Sequence, residues 1–165
     1  MQLSSFPPPG GAPRTASTLG HWAFLTRRAL DAGRAGRLEI ALAGHVQALW
    51  LAEALVGSAA GLAREPDDRL AALVVSHHNL ADLYRLRGPA SQALLHLCEP
   101  HRLLLALAGR DDQPPAVRVA ARRHLRETHS ALLQWQRRHG AEVTVEALLR
   151  APAPLHGPQA AHDLH

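Results

Sequence analysis

Apolar positions along the chain recur with a helical period in five segments, separated by short clusters of Gly, Pro and Asp. In 17–32, Trp22, Leu25, Ala29 and Ala32 share one face, and Gly33 follows as a left-handed C-cap. A longer helix over 37–60 carries Leu38, Leu42, His45, Leu49, Ala52 and Val56 at alternating steps of four and three. The third, 67–87, has Leu70, Leu73, His77, Leu80 and Tyr84 inward. It opens on Asp67 and Asp68 and closes on Arg85 and Arg87 before Gly88, the charge order that suits a helix dipole.

The fourth segment, 89–108, places Ala93, Leu97, Pro100, Leu104 and Leu107 on one stripe, with Pro89 tolerated in the first turn. Pro100 lacks the amide that would bond the carbonyl of His96, so a kink or break is expected there, at a cost of about 3 kcal/mol. The fifth begins after Asp111-Asp112-Gln113-Pro114-Pro115 and runs to His139, with Val117, Ala121, Leu125, Thr128, Leu132 and Trp135 inward. A short sixth helix fits 143–150. The Pro- and Gly-rich 1–16 and the similar 151–165 lack this periodicity, and read as a disordered leader and tail around a helical domain, 17–150.

Composition sharpens the class. Aromatics make up 4% of the 165 residues and β-branched residues are sparse, whereas Ala, Leu and Arg dominate, so the chain reads all-α. The lone Cys98 rules out an internal disulfide, no secretory signal pattern opens the chain, and no uninterrupted apolar run reaches the ~18 residues of a membrane span. A cytoplasmic protein without a membrane partner is expected. The net charge of +4 comes from 18 basic residues that are all arginine. High arginine with high Ala and Gly is what a GC-rich coding sequence yields, which weakens the case for nucleic acid.

The run from Asn79 to Gly88, followed by Ala93-Leu94, resembles a tetratricopeptide repeat: Leu80, Ala81, Tyr84, Gly88 and Ala93 match that family's spacing of Leu, small residue, aromatic, turn glycine and packing alanine. Small residues at 81 and 93 let two helices approach, Tyr84 fills the gap and Gly88 permits the turn. A degenerate echo occurs at Ala29, Ala32, Gly36, Ala41 and Ala48. The equivalent Ala41 and Ala93 lie 52 residues apart, against a family period of 34, so the second helix must be extended. The resemblance implies antiparallel helical hairpins stacked as a short superhelix of five to six helices, with a final unit hinted at by Gly140 and Ala147-Leu148-Leu149. So few repeats sit at the lower limit of stability, so pairing with a second copy is expected.

The same resemblance implies a protein or peptide partner held on the face of the first helix of each hairpin, here Val75, His78, Asn79 and Asp82. Asn79 falls where some members use an Asn amide to hold a ligand backbone or carboxylate. Arg118, Arg122 and Arg126 recur every four residues as a basic ridge. It resembles the cationic side of repeats that grip acidic peptides, although a solvated face, partly paired with Glu127, is the simpler reading. Two alternative functions remain: an arginine ridge on nucleic-acid phosphates, and a metal- or redox-responsive bundle. The first lacks interleaved aromatics. The second finds only Cys98 and His101 at ligand spacing on one helix, with His45 and His77 at core edges and the other histidines solvated. No catalytic motif and no cofactor are expected, and Cys98 reads as a small buried thiol.

Overall fold

In the computed structural model, which describes residues 18–151, the chain turns helical at Thr18, whose hydroxyl accepts from the amide of His21 at 3.1 Å. The expected leader 1–16, and the expected tail apart from Ala151, lie outside the described residues. Helix α1 (Leu19–Arg34) overruns Gly33, and the left-handed residue is instead Gly36, at φ 72°. There the amide of Arg37 reaches the carbonyl of Ala32 at 2.9 Å and that of Gly36 the carbonyl of Gly33 at 3.0 Å, the paired bonds of a Schellman ending.

The expected helix over 37–60 is two helices, α2 (Leu38–Gly57) and α3 (Ala59–Arg64). Ser58 is extended and its hydroxyl caps α3 on the amide of Gly61, a side chain competing with helix continuation. Arg69 fixes the break from the next helix: buried, it donates to the carbonyl of Leu55 at 2.6 Å and pairs with Glu65 at 2.9 Å. Its guanidinium fills the space where any side chain at Gly61 would sit.

Helix α4 (Pro66–Arg87) starts with proline in its first turn and the two expected aspartates, and ends at Gly88. Gly88 is extended, and the need for glycine there is steric: a Cβ would lie 2.5 Å from the Tyr84 ring and 3.3 Å from its carbonyl oxygen. Helix α5 (Ala90–Gly109) runs through Pro100 without a break. Pro100 is itself buried beside Cys98, His101 and Leu104, and burial of this face between neighbouring helices holds the segment helical against the missing hydrogen bond. Helix α6 (Pro115–His139) ends at Gly140, at φ 90°, and the short α7 (Val143–Arg150) follows.

The described residues are therefore all-α, with seven helices and no strand. Successive long helices pack as antiparallel hairpins, in the order α1–α2, α2–α4, α4–α5 and α5–α6, while α3 and α7 cover the junctions. The first helices of the hairpins also meet: α4 touches both α1 and α6, whereas the backbones of α2 and α5 stay apart. Ala29, Ala32, Ala41 and Ala48 are buried in the first hairpin, and Leu80, Ala81 and Ala93 are fully buried in the second. One core joins α3, α4, α5 and α6 through Leu62, Leu70, Val74, Leu104 and Leu125. A second, around Leu97, Leu132 and Trp135, takes in Val145 of α7. The indole N–H of Trp22 bonds Ser76 Oγ at 2.8 Å, tying α1 to α4.

Because Ala81 is fully buried, Ala81→Leu is expected to destabilise the fold by about 1–3 kcal/mol through overpacking. A lowered urea midpoint measures it, against an unchanged midpoint for exposed Ala106→Leu. Arg69→Met is expected to cost about 1–3 kcal/mol by orphaning the Leu55 carbonyl, and a thermal melt of equal cooperativity at lower temperature reports it.

Candidate functional site

The helical period of α4 puts His78, Asp82 and Arg85 on one face, and that of α6 aligns Glu127, Ser130, Gln134 and Arg138 opposite them. Between these faces lies a cleft of about 360 Å³ whose apolar lining comes from Leu97, Ala131 and Trp135. Its charges are mixed. Asp82 pairs with Arg85 at 2.9 Å, and Glu127 stands 3.6 Å from His78 Nδ1 and 4.0 Å from His124. Burial lowers the pKa of His78, while Glu127 and Asp82 pull it back up. Trp135 is buried, with His139 stacked on its ring at 3.8 Å and bonded through Nδ1 to its carbonyl at 3.1 Å. The cleft thus has an apolar base rimmed by acidic and basic side chains, the makeup of a surface that takes a polypeptide segment.

Of the residues expected from sequence, His78 and Asp82 line this cleft; Asn79, Arg118, Arg122 and Arg126 do not. The Asn79 side-chain nitrogen is buried within the protein. Arg118 is half-buried and pairs with Asp111 at 3.3 Å, ahead of α6. At 3.6 residues per turn, positions 118 and 122 stand well round the helix from Glu127, whereas Arg126 lies one turn from Ser130 at the edge of the cleft, so the ridge runs up to the cleft without lining it. Arg123, beside the ridge, bonds Asp67 of α4 at 2.9 Å. Arg85, Gln134, Trp135, Arg138 and His139 belong to the cleft; the sequence reading places Trp135 in the core and Arg85 at a helix end, and marks none of the five as a site. The recurrence of polar residues at 127, 130, 134 and 138 was the available signal.

The histidines are more buried than expected. His101 is buried, with Nδ1 2.8 Å from Thr128 Oγ1, and burial and the neighbouring His129 lower its pKa. His77 and His96 approach through Nδ1 at 3.0 Å, and His96 stacks on Tyr84. A hydrogen bond between two such nitrogens needs one ring protonated there and the other bare. Burial, then His96 and His78, push His77 down to about 4. Among the described residues no three His, Cys, Asp or Glu side chains are grouped to hold a metal ion. Burial drives the Cys98 thiol up to about 11, keeping it protonated at neutral pH.

The fold and this cleft define an all-α protein of packed helical hairpins with a groove between neighbouring first helices. The chain belongs to the family described as "Protein of unknown function (DUF2753)", whose profile matches residues 20–153. No curated protein and no solved structure matches it.

The lowered histidines set a pH dependence. An unfolded histidine titrates near 6.5, whereas folded His77 does so at about 4, so the unfolded chain binds more protons in between. Stability is expected to be full above about pH 6.5 and to fall as the pH drops towards 4, by roughly 3 kcal/mol from His77 alone. Urea unfolding across that range measures it; His77→Gln should flatten the slope.

Proposed function

We propose that the chain is a non-enzymatic interaction module of tetratricopeptide-like build, which holds a segment of a partner protein in the cleft between α4 and α6. The observation that carries this reading is the cleft itself: its walls come from two first helices of successive hairpins, and its base is apolar. The order in which α1, α4 and α6 adjoin while α2 and α5 stay apart also fits hairpins that stack in a single direction. An apolar base anchors a partner side chain, and the flanking Asp82, Glu127 and Arg138 select its charges, the division of labour found in peptide-binding grooves.

Filling the cleft tests the reading. Ala131→Arg projects a long cation into it from a half-buried position, and Arg126→Ala changes the ridge, whose arginines do not line the cleft. Proteins captured from extract by the unaltered chain are expected to be lost with Ala131→Arg and retained with Arg126→Ala, both variants keeping their helical circular dichroism. Partners retained despite the filled cleft would remove the cleft from the account. Capture abolished by nuclease and by Arg126→Ala would favour nucleic acid on the ridge instead.

A further inference from the structure

Helix α2 has apolar residues on every side. It is long and apolar enough to cross a membrane by length and composition, yet only a third of it is buried. Ala41, Ala48, Leu49, Ala52 and Leu55 point inward against α1 and α4. The outward side carries a second stripe, Ile40, Ala43, Gln47, Trp50 and Ala54, at alternating steps of three and four. That alternation is the spacing of a seam between two helices. Ile40 is 56% exposed and Trp50 65%, a large apolar area for a helix to leave in water.

Beside this stripe, between α1 and α2, lies a groove of about 350 Å³. Its small residues, Ala29, Ala43 and Gly44, leave it open, and Arg28 and Arg37 stand along it. The helices are already closest here, since a Cβ on Gly44 would lie 2.9 Å from that of Ala29. An exposed indole and an open groove whose walls carry Arg28, Arg37 and Asp31 thus share one surface, less than two turns of α2 apart.

We propose that this face binds a second copy of the chain, the two α2 helices antiparallel about a two-fold axis at Gln47, each Trp50 seated in the other copy's groove. The register supports it. Reversal about position 47 brings Trp50 level with Gly44 and next to Ala43, and Ile40 level with Ala54, so each large side chain falls among small ones. Gln47 meets itself, and a carboxamide both donates and accepts. The electrostatics agree as well: a guanidinium is attracted to the negative face of an indole, and Arg28 already lies 5.6 Å from the Phe24 ring centroid. A two-fold arrangement makes every contact twice, and a tryptophan in a groove is the residue type that dominates such interfaces. The cleft between α4 and α6 takes no part in this surface.

Sedimentation equilibrium of the full chain over a micromolar concentration range tests the proposal. The expected result is twice the mass of one chain. Trp50→Ala and Ala43→Glu, both at exposed positions, should each weaken association about 30-fold or more while leaving the helical circular dichroism intact. Gln47→Cys should cross-link to its own copy under mild oxidation, and Ala63→Cys, on exposed α3, should not; the native Cys98 is buried. The proposal is overturned by a monomer throughout the range, by a dimer indifferent to both substitutions, or by equal cross-linking at 47 and 63. A monomer that sediments with anionic phospholipid vesicles in a Trp50-dependent way also overturns it, and assigns the face to a membrane surface.

Discussion

Close approach of helix backbones is the constraint on which everything else in this molecule rests. Two helices interlock at short range only where side chains no larger than a methyl group face each other. The chain supplies such positions in pairs: Ala81 with Ala93 across the second hairpin, and Ala29 with Gly44 across the first, where even one added carbon would clash. With the backbones drawn in, leucines at 70, 80, 104 and 132 reach across to neighbouring helices and lose all contact with water. The cleft between α4 and α6 follows from the same geometry. Helix α5 packs against both α4 and α6, and the side of the α4–α6 seam away from it stays open.

Much of this architecture was legible in the residues, because helical periodicity and terminal signals are local. The Asp67-Asp68 start, the arginines before Gly88 and the small residues at 81 and 93 all act within a turn or two of where they stand, and each falls where it was read. The misreadings at Ser58 and Pro100 have a common cause: in each, a distant part of the chain decides. The periodicity of 37–60 carries straight through Ser58, and the stop there depends on Arg69, which lies 14 residues beyond the Leu55 carbonyl that it binds. Pro100 signals a break by local chemistry, but burial of its face overrides the lost hydrogen bond. Gly33 and Gly36 are equally able to end α1, and only the full set of terminal bonds separates them.

The candidate site was less legible than the fold. Proximity of His78 to Glu127 joins helices 49 residues apart, and no spacing rule reports it. The arginine ridge drew attention because its period is regular, yet a regular stripe on a helix shows only that its members share a side. It does not say which neighbour that side faces. Trp135 illustrates the opposite failure. Its inward position was read correctly, but an aromatic ring can belong to the core and still form the base of a groove.

The separation of the α2 and α5 backbones bears on how the chain is made. Each helix finds its main partners next to it in sequence or one hairpin away, so contacts are local and the search for them is short. During synthesis the α1–α2 pair can close before α5 leaves the ribosome, and each later hairpin docks on a surface already formed. Assembly in the order of translation is therefore largely built into the neighbour pattern; among the early helices α3 waits longest, since part of its core contact comes from α6.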